Sequence, residues 1–211
     1  MHALFSHVPG IKAVVPSNPK DAKGLLLAAL EDGGPVVYIE HRWLYEDDAP
    51  VPAGYYTTPI GKAEVVLPGV HVTIAAIGPM VGESLKAAAA LQKTGLSAEV
   101  IDVRTLRPLD SDTIIRSVVK TGRLLVVDSD WGPCGVAGEI LARVSEKGFE
   151  YLKEAPARIV WPETCVPSSQ NIEAQFYSGA KEIQEAAVNL CNHSHHEESV
   201  QNTVKKFEGP F

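Results

Sequence analysis

The stretch that most restricts the fold is residues 70–139, where apolar runs alternate with segments of helical period before a glycine-rich turn leads into a further helix. Within AEVIDVRTLRPLDSDTIIRSVVKTGRLLVVDSDWGPCGVAGEI, an apolar run at 98–103 predicts a strand, and 123–128 predicts a second. Between them Ile114, Ile115, Val118 and Val119 fall on one helical face. Asp110 or Ser111 can cap the first turn, and Gly122 stands where a left-handed residue ends a helix. A run such as LLVV, apolar at successive positions, is buried on both faces, so helices must cover the sheet above and below. The predicted class is α/β: three layers around a mostly parallel sheet.

At 211 residues the chain can bury a large core without staples. Nineteen Lys and Arg against 26 Asp and Glu give a formal charge of −7, which opposes nucleic acid and anionic membrane surfaces as partners. Cys134, Cys165 and Cys191 are odd in number and far apart, fitting neither a disulfide framework nor a metal spacing, so the expectation is reduced thiols in an intracellular protein. No apolar run approaches the ~20 residues of a membrane span, and the start of the chain lacks a basic-then-apolar signal pattern.

Ahead of this region, residues 1–41 hold one βαβ unit. A strand at 12–15 ends at Pro16, Asn18 can cap a helix with Pro19 at its first position, Gly33 and Gly34 close that helix, and a second strand follows at 35–40. Parallel strands as apolar as AVV and VVYI need neighbouring strands and a second helical layer. Either another chain covers the unit or it is the tail of a larger domain. Residues 42–69, rich in Pro, Gly and Tyr, read as an extended connector with an edge strand somewhere in 58–67. A strand at 157–161 and a helix at 179–191, with Ala180, Ile183, Ala187 and Leu190 on one side, complete residues 70–191; residues 192–211 read as a flexible tail.

The blocks FSHVPGIKAVVPSNPKDAKGLLLAALEDGGPVVYIEHRWLY, PIGKAEVV, VIDVRTLRPLDSDTI, TGRLLVV, CGVAGEI and PETCVP, in this order and spacing, resemble the C-terminal part of the β chain of thiamine-diphosphate-dependent first components of 2-oxo acid dehydrogenase complexes, of pyruvate, branched-chain or acetoin type. The wider relatives are the C-terminal domains of transketolases. The resemblance implies that residues 1–41 end a pyrimidine-binding domain and that 70–191 form a transketolase C-terminal-like domain. It implies thiamine diphosphate with magnesium as cofactor of the assembled enzyme, and as partners an α chain, a second β chain in a heterotetramer, and the acyltransferase core. The implied location is the cytoplasm of a bacterium or the mitochondrial matrix of a eukaryote. The glutamate and histidine that serve the cofactor in that family precede the matched blocks, so no catalytic or cofactor-binding residue is assigned and the isolated chain is expected to be inactive. A non-catalytic assembly module, or the C-terminal part of a transketolase-like enzyme, is the alternative.

The resemblance also implies a structural potassium ion on backbone carbonyls of Ala29, Leu30, Asp32 and Gly34, against a plain helix cap. A helix C-terminus gathers unpaired carbonyls, which makes a hard cation physically reasonable there. His7 belongs to the F-x-H-x-P-G block, with a role beside the Pro9–Gly10 turn or on an active-site rim. Glu40 and His41 end a strand where α/β sheets place ligands. Gly132, Gly135 and Gly138 precede a helix in a spacing that differs from the dinucleotide fingerprint, so close packing is expected of them. Where the family reads H-E-A-P-x-T-G-G, this sequence has Asp128, Ser129 and Asp130 at the first three positions and Cys134 at the first Gly. Asp128 and Asp130 are expected to point oppositely, and Cys134 sits at a helix start without a neighbouring His in sequence. His193, His195 and His196 form a short cluster able to hold a metal adventitiously.

Overall fold

The computed structural model describes residues 2–173 and 175–192. In chain order its elements are α1 (His2–His7), β1 (Lys12–Val14), α2 (Pro19–Glu31), β2 (Val36–Tyr38), a 3-10 turn (Arg42–Leu44), β3 (Glu64–Leu67), β4 (Val72–Ala76), α3 (Met80–Gln92), β5 (Ala98–Asp102) and β6 (Thr105–Arg107). Then come α4 (Ser111–Thr121), β7 (Leu124–Trp131), α5 (Val136–Gly148), a second 3-10 turn (Phe149–Tyr151), β8 (Ala157–Trp161), α6 (Gln170–Glu173) and α7 (Ala180–Asn192).

The main sheet has five strands in the order β3-β5-β4-β7-β8. β4 pairs in parallel with β5 and β7, β7 in parallel with β8, and β3 closes one edge antiparallel to β5. Alternation along these strands divides the core in two. Val72, Ile74, Ala76, Leu125 and Val127 pack with Met80, Ala87 and Leu91 of α3 and with Ile183, Ala187 and Leu190 of α7. Ala75, Leu124 and Val126 pack on the other face with Ile114 and Val118 of α4 and Ile140 and Val144 of α5. These are the three layers that the doubly buried runs require.

Local signals placed several boundaries. Asn18 is the N-cap of α2, its side chain accepting from Asp21 N, with Pro19 at the first helical position. Asp110 caps α4 by accepting from Thr113 N at 3.2 Å, and Gly122 ends it at φ 75°. β8 covers the residues read as a strand from the sequence.

The first unit departs from expectation in one respect. Its three-stranded sheet runs β2-β1-β6, so the second neighbour of β1 is not another chain but β6, paired antiparallel through Ala13↔Arg107 and Val14↔Thr105. Ala13 and Val15 are buried in the same core as Ile114 and Val126. Residues 1–41 and the region beyond 70 therefore share side-chain packing and a sheet. β2 keeps an open edge.

Candidate functional site

Four places gather chemistry-bearing side chains. At the C-terminal end of β2, Glu40 and His41 line a cavity of about 200 Å³ with Pro16, Asn18, Leu44 and Tyr45. Tyr45 donates its hydroxyl to Glu40 Oε2 at 3.1 Å, and His41 Nδ1 accepts from Trp43 N at 3.3 Å. The His41 ring stands 4.7 Å from that of Trp43, which in turn meets Tyr177 edge-on at 4.7 Å. Burial, and then the charge of His2, lower the His41 pKa from its ordinary value. The cavity offers one carboxylate and no cationic side chain. Among the described residues no group of three or more His, Cys, Asp and Glu could hold a metal. These residues do not fit a diphosphate with its magnesium.

The second place corrects a sequence reading. β7 runs on to Trp131, so Asp128, Ser129 and Asp130 are strand residues and the turn is confined to 132–135. Asp128 and Asp130 do not point oppositely: residues two apart on a strand share a face, and both carboxylates meet His2. His2 Nε2 lies 2.8 Å from Asp128 Oδ1 and 3.6 Å from Asp130 Oδ2, with side chains 7%, 0% and 4% exposed. Ala3 N donates to Asp130 Oδ2 at 3.3 Å. No sequence spacing connects His2 with residues so far along the chain; α1 brings them together.

The third is a cavity of about 630 Å³ between α1, the end of β6, the 132–135 turn, α5 and β8. Of the three glycines, Gly135 is required by close packing, since a Cβ there would stand 2.3 Å from Trp131 O, whereas a Cβ on Gly138 would meet only Arg158 Nη1 at 3.6 Å. Cys134 is exposed with φ 55°, and exposed His7 lines the same space from α1. Arg107, Arg143 and Arg158 also line it, and sequence inspection passed over all three because they come from three separate elements.

The fourth is a buried ionic network joining the first unit to the domain. Arg104, at φ 58° after β5, donates to Asp21 Oδ2 through Nε at 2.9 Å and Nη2 at 2.6 Å, and also pairs with Glu64. Asp21 accepts from Thr58 Oγ1 at 3.1 Å. Asp102 accepts from the Ser17 hydroxyl and from Arg104 N. Burial, helped by the charge of Asp21, raises the Asp102 pKa to about 7.

Of the residues considered for potassium, Leu30 has its side chain in solvent at 75% exposure, and Asp32, the C-cap of α2, holds the Lys12 ammonium. That ammonium already places a cation at the negative end of the helix. Four carbonyls also fall short of the six to eight oxygens, roughly, that a hard cation such as calcium gathers. His193, His195 and His196 lie outside the described residues.

Comparison with known proteins agrees with this architecture. Residues 61–183 match the family described as transketolase, C-terminal domain. The acetoin:2,6-dichlorophenolindophenol oxidoreductase subunit beta of Bacillus subtilis (strain 168) is 47% identical over 176 residues, covering 83% of this chain and 52% of the relative. The pyruvate dehydrogenase E1 component subunit beta of the same organism is 44% identical over 188 residues, covering 89% and 58%. The chain spans about half the length of the curated relatives it matches. A solved structure titled "Split gene transketolase, inactive beta4 tetramer" superposes with a TM-score of 0.77 at 23% identity, over 92% of this chain and 62% of that one, which establishes a common fold.

Proposed function

The chain belongs to the transketolase C-terminal domain family, and from that premise we propose that it is the C-terminal part of a β-type chain in the thiamine-diphosphate-dependent first component of a 2-oxo acid dehydrogenase complex. The observation that carries this reading is its identity, extending well ahead of the family match, to β subunits of acetoin and pyruvate enzymes. The reaction is the oxidative decarboxylation of pyruvate or a branched-chain 2-oxo acid. The assembled component supplies the cofactor site, and this segment's own task is subunit assembly and docking. Thiamine diphosphate brings the carbanion chemistry, and protein brings orientation and electrostatics. In this reading the cofactor's own ligands come from the rest of the assembly; the Glu40–His41 cavity, at a strand end where α/β folds place ligands, offers a diphosphate no cation.

The partners are an α chain, a second β chain and the acyltransferase core, in the cytoplasm or the mitochondrial matrix. Exposed apolar side chains, Leu4, Phe5 and Val8 near the start and Leu26 and Leu30 on α2, and the open edge of β2 support an assembly role. Potassium on the Ala29, Leu30, Asp32 and Gly34 carbonyls belongs to the same reading, its cage completed by an upstream loop. No helix among the described residues is long and apolar enough to cross a membrane.

A second reading, a non-catalytic assembly module, draws support from Asp128 and Asp130, whose carboxylates are buried against His2 instead of lining an open channel. Sedimentation of the chain with an α chain and with the subunit-binding domain of an acyltransferase tests the assembly role common to both readings. A heavier complex at micromolar concentration is expected; a chain that stays monomeric and binds neither would contradict it. Turnover of a 2-oxo acid by the reconstituted complex then separates catalytic from non-catalytic assembly.

A further inference from the structure

The larger cavity carries an electrostatic imbalance. Arg158 Nη1 donates to Gly132 O at 3.0 Å, and its guanidinium atoms stand 3.4 Å and 3.6 Å from where Cβ atoms would lie on Gly132 and Gly138. The guanidinium thus lies across the turn that opens α5, a helix of 13 residues whose N-cap, Gly135, provides no side-chain hydrogen bond. A helix start carries partial positive charge and unpaired amides, so a cation is the wrong charge to place there. Arg107 lines the same space and donates to Ser6 O at 3.0 Å. Among the described residues neither Arg107 nor Arg158 forms an ion pair with a carboxylate. Arg143 is paired with Glu139, the one acidic residue lining the cavity. A chain of formal charge −7 thus concentrates three guanidinium groups and an uncapped helix start around one space, with a single carboxylate to offset them.

We propose that this cavity binds a phosphate ester: an organic molecule whose phosphoryl oxygens are held by Arg158, Arg107 and the first amides of α5, with Arg143 at the rim. Guanidinium forks and helix-start amides both match a tetrahedral oxyanion. The volume of about 630 Å³ exceeds what a bare phosphate fills, and Ala3, Leu106 and Val136 give the organic part an apolar wall. The site is separate from the Glu40–His41 cavity, and its probes lack a thiamine ring and are titrated into the chain alone, so its failure and that of the proposed function are distinguishable.

Calorimetric titration of the full chain with glycerol 3-phosphate, and separately with inorganic phosphate, tests the proposal. The ester is expected to bind with a Kd below about 1 mM, more tightly than inorganic phosphate, and to weaken as salt rises. Arg158→Ala and Arg107→Ala should each weaken it by about 10-fold or more, the scale of a lost charge-assisted hydrogen bond. Arg116→Ala, a change outside the cavity lining, should leave it unchanged. If Arg158→Ala does not fold, Arg158→Lys decides, because it keeps the charge and loses the fork: a several-fold loss of affinity supports the site, and unchanged affinity overturns it. Absence of binding by the wild-type chain at 10 mM of either ligand, about ten times the expected upper limit, or equal weakening by Arg116→Ala, would also overturn it.

Discussion

Arg104 Nη2 donates to Asp21 Oδ2 at 2.6 Å, tying helix α2 to the turn between β5 and β6 across 83 residues of sequence. The side chains are 8% and 0% exposed, so Asp21 depends on this guanidinium, which is shared with Glu64. Removing one partner of such a pair strands a buried charge and costs about 3–5 kcal/mol. Arg104→Ala, which strands Asp21, is expected to lower the unfolding free energy by an amount of that order, Asp21→Ala by less because Glu64 still pairs with Arg104, and the double variant by less than the sum. A loss below about 1 kcal/mol, the scale of an exposed pair, would show that the network is not desolvated.

Asp102 gives the fold a pH dependence of known sign. Its folded pKa is raised by burial to about 7, above the unfolded value, so the folded state holds a proton that the unfolded state has released. Its contribution is fully present below the unfolded pKa and is lost as pH rises through about 7. Asp102→Asn keeps an acceptor for Arg104 N and a partner for Ser17 while removing the titration. Between pH 5 and 8 the thermal midpoint of the variant should therefore fall less than that of the wild type. Parallel curves would remove Asp102 from the explanation.

Two glycines predict opposite signs. A Cβ on Gly69 would stand 2.2 Å from the Ala98 carbonyl carbon and 2.3 Å from Glu99 N, both backbone atoms of β5. Gly69→Ala is expected to cost at least about 1–3 kcal/mol as the strand shifts. Gly82, exposed on α3, would meet nothing within 4 Å, and Ala there should stabilise by up to about 1 kcal/mol. Urea denaturation of the two variants checks both signs.

The proposed division of the chain has a proteolytic signature. Residues 45–55 are exposed and outside regular structure, anchored by Lys23 Nζ on Pro52 O and Gly54 O and by nearby Tyr56 on Lys20 O. A protease of broad specificity should cut first in this segment and leave the span from about 60 to 173 resistant. Primary cleavage within α4 or β7 would contradict the division.

The sequence carried the local structure well: caps, helix periods and doubly apolar strands belong to contiguous residues, and α4 and β8 follow them. It did not disclose β6, because Thr105–Arg107 forms a strand only through pairing with β1 some 90 residues earlier. Asp128 and Asp130 were misread although strand parity places them on one face, and their partner His2 was out of reach because α1 alone brings it there. Arg107, Arg143 and Arg158 share one cavity only through the sheet and helix that carry them. Glu40 and His41 line a cavity at the end of β2, a placement that strand ends in α/β folds suggest.

On the proposed function, the chain works as part of a thiamine-diphosphate enzyme whose cofactor is held by the rest of the assembly. Calorimetric titration of thiamine diphosphate, with magnesium, into the pure chain and into the chain reconstituted with its partners tests it most directly. A site of about 10 μM or tighter should appear only in the reconstituted complex, together with turnover of a 2-oxo acid. A site of that affinity in the pure chain, or decarboxylation by it alone, would contradict the account.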